Sequence, residues 1–106
     1  MIFNGFPDSI TLQKQSPFYY SITTKNGSQL RFTNKRNRPI FIPHIKSEKK
    51  GEGSLLLSSL VGCFPDRIIE TDVFDRNKNA LRFFRRHGFK KVAKADGIWL
   101  LVRECY

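Results

Sequence analysis

Two runs of alternating β-branched and aromatic residues, PFYYSITT and QLRFTN, flank Asn26-Gly27. That pair favours a tight type I′ turn, so the segment predicts a β-hairpin. Residues 1–16 are mixed and polar, with Gly5 and Pro7, and predict a loop or a weak first strand. KRNRP reads as a turn and IFIPHI at 40–45 as the next strand. Pro43 lies inside that strand and implies an edge, a bulge or a splayed position. Leu56, Leu57, Leu60 and Val61 then switch to helical spacing, with Gly62 as a stop. RIIETDVF returns to a strand whose core side is Ile68, Ile69 and Val73. Asp75 or Asn77 offers a side-chain oxygen to cap a second helix. In it Ala80, Phe83, Phe84 and His87, spaced i, i+3, i+4 and i+7, predict one buried face, and Gly88 a left-handed cap. FKKVAKA, Asp96-Gly97 and IWLLVREC close the chain as a last hairpin.

The order is three strands, helix, strand, helix, two strands. It predicts an α+β domain spanning 1–106, with a mixed, mostly antiparallel sheet. The strand–helix–strand step at 40–73 is a central crossover between parallel strands, expected to be right-handed.

Composition narrows the function classes. The 106 residues are 40 % hydrophobic and include ten Phe, enough for one core and against disorder. A net charge of +10 favours nucleic acid, phosphorylated cofactors, acidic proteins or anionic lipid. Cys63 and Cys105 have no metal-ligand spacing, so no metal site is expected, and both read as reduced thiols of a cytoplasmic protein. The N-terminus lacks a basic segment and a long apolar run, and no stretch suits a membrane helix.

KKGEGSLLL puts Gly51 and Gly53 between a strand and a helix. Glycines there let backbone approach a phosphate, and a helix N-terminus supplies N–H groups and the positive dipole end. An ordinary flexible loop would look the same. A Walker loop needs Gly-Lys-Ser/Thr, which is missing. A dinucleotide loop needs a third glycine, where Leu56 stands, although Glu70 or Asp72 could serve as its acidic residue.

Taken with NKNALRFFRRHGF at 77–89, the loop resembles the GNAT (GCN5-related N-acetyltransferase) superfamily. That family's pyrophosphate signature, Gln/Arg-x-x-Gly-x-Gly/Ala, aligns with EKKGEG, and its following Asn-x-x-Ala-x-x-φ-Tyr-x-x-x-Gly-Phe with Asn77, Ala80, Phe83, Gly88 and Phe89. The likeness covers about residues 36–104. It implies a truncated GNAT-like fold and acetyl-CoA as cofactor, with transfer to an amine acceptor in protein, RNA or a small molecule. The pyrophosphate would rest on the backbone N–H groups of Lys50, Gly51, Glu52, Gly53 and Ser54, with Lys49 and Lys50 adding charge. The pantetheine arm would lie where IFIPHI and RIIETDVF part, beside Ile42 and His44, bordered by Asn77, Ala80, Phe83 and Phe84.

The sequence departs from the pattern in four places. Glu48 stands at the Gln/Arg position. Phe84 replaces the Tyr that donates a proton to the leaving thiolate in many members. Pro43 removes a strand N–H. Only about 16 residues precede the first hairpin strand, where the family has two helices that wall the acceptor site. The acceptor side is therefore open, or completed by a homodimer or another partner. Base candidates are His44, as the side chain type that ordinarily titrates near neutrality, and Glu70 and Asp72; His87 reads as a packed helix-end residue. Between Arg76 and Ala95 eight basic residues occur with no acid. Arg82, Arg85 and Arg86 share the helix face away from Ala80 and Phe83, as a solvated face or a contact for nucleic acid or an acidic protein. A second reading is thus a catalytically inactive basic module of the same fold.

Overall fold

The computed structural model describes residues 9–104. The elements are β1 (Ile10–Ser16), β2 (Tyr19–Thr24), β3 (Gln29–Thr33), β4 (Ile40–Lys46), α1 (Glu52–Cys63), β5 (Ile69–Phe74), α2 (Lys78–Arg86), β6 (Lys90–Ala95) and β7 (Ile98–Arg103). They build one seven-stranded sheet in the order β1-β2-β3-β4-β5-β7-β6. Only the β4–β5 pair is parallel; every other pair is antiparallel. This is the mixed α+β architecture that the pattern predicts. The first strand does form: Ile10 is buried at its start, while the residues beyond Leu12 are exposed. β1 and β2 are joined directly by Pro17-Phe18, with no helix between them.

Strand alternation divides the sheet into two unlike faces. Tyr20 and Ile22 of β2, Leu30 and Phe32 of β3, Ile40 and Ile42 of β4, and Ile69 and Val73 of β5 are buried. With Leu56, Leu57 and Leu60 of α1 and Leu81 and Phe84 of α2 they form one continuous core. The sequence places Ile68 in that core, but it is exposed, and Thr71 takes the buried position instead. The inward parity of β5 is therefore Ile69, Thr71 and Val73. Its alternate residues, Glu70, Asp72 and Phe74, lie on the face that carries no helix among the described residues.

Three local expectations are corrected. Asn26 does not have a positive φ, so Asn26-Gly27 is not a type I′ turn. Instead Gly27 N donates to Thr24 O at 3.1 Å and Gly27 alone is left-handed, at φ 89. This wider loop gives Thr24, Asn26 and Ser28 room to reach α1. The second correction is at the end of α1, which runs through Gly62 to Cys63. Phe64 closes the helix, its N–H donating to Leu60 O at 3.2 Å. The third concerns α2, whose predicted single face is split: Leu81 and Phe84 enter the core, while Ala80, Phe83 and His87 are half-buried, Phe83 and His87 lying against the start of α1. By contrast, Asp96 (φ 53) and Gly97 (φ 78) make the predicted tight turn between β6 and β7.

The end of α2 is held by a Schellman motif. Gly88 N donates to Arg85 O and Phe89 N to Phe84 O, both at 3.1 Å, with Gly88 at φ 88. The accompanying apolar contact is Phe84 on Phe89, ring centroids 5.2 Å apart. At the other end Asn77 is the cap: its Oδ1 accepts from Ala80 N at 3.2 Å. Gly88→Ala is expected to lower unfolding free energy by about 1–2 kcal/mol in a denaturant titration, because a Cβ is strained in the left-handed region. A Cβ there would also meet Arg103 Nε at 3.3 Å.

Candidate active site

β4 and β5 begin as a parallel pair and then separate. Their register runs Ile40↔Ile69, Phe41↔Glu70, Ile42↔Thr71, and ends there. Two features fix the parting. The β3–β4 register shifts between Arg31↔His44 and Thr33↔Phe41, so β4 holds one extra residue opposite β3. This bulge falls at Ile42-Pro43, where a proline would otherwise break a ladder. Across the gap, the buried Thr71 donates its hydroxyl to Ile42 O at 2.8 Å. That bond satisfies a carbonyl at the last paired position.

The gap is a cleft of about 170 Å³. Ile42, His44 and Asp72 line its strand walls, and Asn77, Ala80 and Phe84 its α2 wall. Sequence reasoning named all six. On the helix-free face a recess of about 370 Å³ shares Ile42, Pro43, Asp72 and Phe74 with the cleft and adds Phe41 and Ile98. The parting of the strands thus borders both faces of the sheet, and Asp72 lies at the boundary. Glu70 is not in the cleft; it borders a separate recess with Lys35, Arg38 and Phe41. Phe83 also lies outside the cleft, its ring 3.6 Å from where a Cβ on Gly53 would stand. Phe84 is buried between the rings of Phe83 and Phe89, each 5.2 Å away, and offers no proton.

The glycine loop leads into α1 with Gly51 as N-cap, left-handed at φ 88, and no side chain caps the helix. The first-turn N–H groups of Gly53 and Ser54 face the loop side, as those of any helix start do. Gly51 is required by its conformation. Gly53 is not: an added Cβ would meet Ser47 at 3.5 Å and Phe83 at 3.6 Å, ordinary contacts.

Both acids of the loop are engaged elsewhere. Glu48 pairs with Lys46 at 2.8 Å. Glu52 turns its carboxylate onto the β2–β3 loop. It accepts from Ser28 Oγ at 2.6 Å, Thr24 Oγ1 at 2.9 Å and Asn26 Nδ2 at 2.9 Å. Its N–H is also used, donating to Lys49 O at 3.1 Å. Ser28 is fully buried and also accepts from Glu48 N at 2.8 Å, so one hydroxyl couples the hairpin to both ends of the glycine loop. The hydrogen bond from Ser28, then that from Asn26, holds the Glu52 carboxyl below its ordinary value.

Sequence reasoning missed two residues of this neighbourhood. Thr71 is invisible because threonine is an ordinary strand residue. His87 reads as a packed helix end, and it is half-buried against Phe83 at 5.0 Å. Its Nε2 nonetheless lies 3.2 Å from Ser54 Oγ, in the first turn of α1. Burial, then Arg86 and Arg103, lowers its pKa, so the ring is neutral at pH 7. Among the described residues no group of three or more His, Cys, Asp or Glu could hold a metal ion. Cys105 lies outside the described residues. No helix among them is long and apolar enough to cross a membrane.

Solved structures with a similar fold include PH1933 of Pyrococcus horikoshii OT3 (TM-score 0.69, 18 % identity), where the match covers 83 % of this chain and 65 % of that one. A second is the N-acetyltransferase PseH of Campylobacter jejuni (TM-score 0.70, 14 % identity; 85 % of this chain, 70 % of that one). A third is a GNAT family acetyltransferase of Elizabethkingia anophelis with acetyl-CoA bound (TM-score 0.66, 12 % identity; 92 % and 99 %). The chain therefore spans just under two thirds of the archaeal protein and nearly all of the Elizabethkingia one. Neither the family models nor the curated proteins gave a sequence match.

Two outcomes follow from this geometry. Thr71→Val should cost about 1–3 kcal/mol of stability by denaturant titration, because the buried Ile42 carbonyl loses its side-chain donor without a change in volume. Glu52 has a depressed folded-state pKa, so its stabilisation is complete above the ordinary glutamate value of 4.5 and is lost as pH falls through the folded value. Glu52→Gln should therefore flatten the acid limb of a stability–pH curve below that value while lowering the neutral plateau.

Proposed function

We propose, taking as premise a fold shared with the GNAT acetyltransferases, that this chain is an acetyl-CoA-dependent N-acetyltransferase acting on an amine acceptor. The observation that carries the reading is the parting of β4 and β5 after Ile42 and Thr71, next to an uncapped helix start. The residues present fit acetyl-CoA. β4 beyond Ile42 leaves an edge unpaired with β5, on which an extended arm can lie as an added strand would. The backbone of Gly53 and Ser54, with Lys49 and Lys50, suits a pyrophosphate, and both nearby carboxylates are turned to other partners. When bound, the cofactor supplies an acetyl thioester.

The chain's own residues have separable tasks. Asn77 fixes the start of α2 through its cap and borders the arm together with Ala80. Phe84 and its neighbouring rings exclude water from the inner wall. His44 accepts the proton of the acceptor ammonium, and Asp72, on the boundary between the two faces, attracts and orients that cation. Glu70 lies beyond the cleft and serves at most the approach of the acceptor. The helix-free face, carrying Asp72, Phe41 and Phe74, is the side from which an acceptor reaches the gap.

Calorimetry with acetyl-CoA tests the cofactor and an acetylation assay over a panel of amines tests the chemistry. Gly53→Glu should abolish binding, since Gly53 is buried against Ser47 and Phe83 and the charge opposes phosphate, and circular dichroism shows whether the fold persists in that variant. His44→Gln should keep binding and lose about 10²–10⁴ in turnover, the usual worth of a general base. Absence of heat from the native protein at millimolar acetyl-CoA would overturn the reading.

A further inference from the structure

The basic residues that the cofactor reading leaves over are not scattered. Lys78, Arg82 and Arg85 are spaced i, i+4 and i+7, forming one stripe of α2. That stripe points away from Phe83 and His87, which lie against the start of α1. Next to it stands the edge strand β6. Lys91 and Lys94 lie over the ring of Trp99, their Nζ atoms 4.7 and 5.5 Å from its centroid. Trp99 packs on the core side of β7, and therefore on the same side of the sheet as α2.

One carboxylate joins helix and strand. Asp75 accepts from Trp99 Nε1 at 2.9 Å and pairs with Lys94 at 3.1 Å and Lys78 at 3.7 Å. The Trp99 bond and Lys94 hold its pKa at about 2, so it is ionised throughout the physiological range. Among the described residues, Lys78 and Lys94 are the members of this band in ion pairs, and they share that single acid. From Arg76 to Ala95 it is the adjacent Asp75, outside the run, that supplies the charge; the run itself contains no acid. Arg82 is steadied by Asn79 Oδ1 at 2.5 Å, while Arg85 and Lys91 are exposed.

We propose that the α2–β6 band of Lys78, Arg82, Arg85, Lys91 and Lys94 binds the phosphate backbone of a nucleic acid. Its composition favours a polyphosphate over a protein partner. Protein interfaces are built around apolar or aromatic anchors and are depleted in lysine. Here the aromatic ring is covered by two lysines, and the rest of the band is long, exposed cations. Such a surface recognises closely spaced negative charge without reading sequence. DNA and RNA present the same chemistry, and the relative affinity for a duplex and for a single-stranded probe separates the sources, the salt slope being about −0.9 per contact for a duplex and −0.7 for a single strand. The proposal stands apart from acetyl transfer and needs no cofactor.

The test is fluorescence anisotropy with a labelled random-sequence DNA duplex and a labelled single-stranded RNA, from about 50 to 200 mM salt. Native protein should bind at least one of them with log K falling linearly in log salt. Arg82→Gln/Arg85→Gln/Lys91→Gln should flatten the slope by about 2–3 units, one contact each. A variant of equal charge change, Lys35→Gln/Arg36→Gln/Arg38→Gln in the β3–β4 loop, should leave it unaltered. Amide shifts of the native protein on addition of nucleic acid should fall on α2 and β6, which keeps the proposal testable even if a variant unfolds. Absence of binding at the lowest salt would overturn it, as would equal losses in the two variants, shifts confined elsewhere, or displacement of the nucleic acid by an equal concentration of polyglutamate.

Discussion

The candidate site depends on two parallel strands that stop pairing after three residues. Backbone groups rarely stay unsatisfied in a protein interior, so strands part only where something else accounts for them. Here the Thr71 hydroxyl takes the Ile42 carbonyl, and the extra residue of β4 places Pro43, which has no N–H to satisfy, at the point of divergence. Both walls of the cleft descend from that arrangement, and α2 completes it because Phe84 and Leu81 seat the helix in the core. A sheet with continuous pairing would have the same core and no cleft.

The glycine loop is positioned by a different kind of constraint. Glu52 and Ser28 tie the start of α1 to the β2–β3 hairpin across more than twenty residues of sequence, with the charge of Glu52 at the favourable end of the helix dipole. The tie removes an acid from the place where an anion would approach. Two carboxylates in a six-residue stretch look unsuited to phosphate in the sequence, yet in the fold neither is directed there.

Much of this was legible in the residues and some was not, for reasons that can be named. Period-two and helical spacing placed the sheet and both helices, because burial on one face imposes those periods. Asn77 and Gly88 were readable because a helix start and a left-handed helix end require particular residues, Ala80 because it shares the helical spacing, and Phe89 only through the family resemblance. The division of α2 into a core side and a flank was not, since Leu81 and Phe83 are equally apolar and only the position of α1 separates them. The parity of β5 failed at Ile68-Ile69 for a similar reason: two adjacent isoleucines leave the phase open, and the buried Thr71 sets it. Glu70 and Asp72, two residues apart on one face, looked equivalent as bases, and only the end of the β4–β5 pairing distinguishes them. The Glu52 tie rests on three polar side chains of a distant loop, a coincidence that no local pattern encodes.

β6 carries a consequence of a different sort. It is an outer strand of the sheet, with one row of ladder groups open, and such a row is a template for another chain to add itself. Every residue of the strand is exposed, and three of the six are lysines. Mutual repulsion among these cations discourages a second copy from docking edge to edge, so the strand's charge also governs colloidal behaviour. That protection is ionic and weakens as the Debye length shrinks from about 30 Å at 0.01 M to about 3 Å at 1 M salt. Solubility of this chain is thus coupled to the ionic medium through the outermost strand of its sheet.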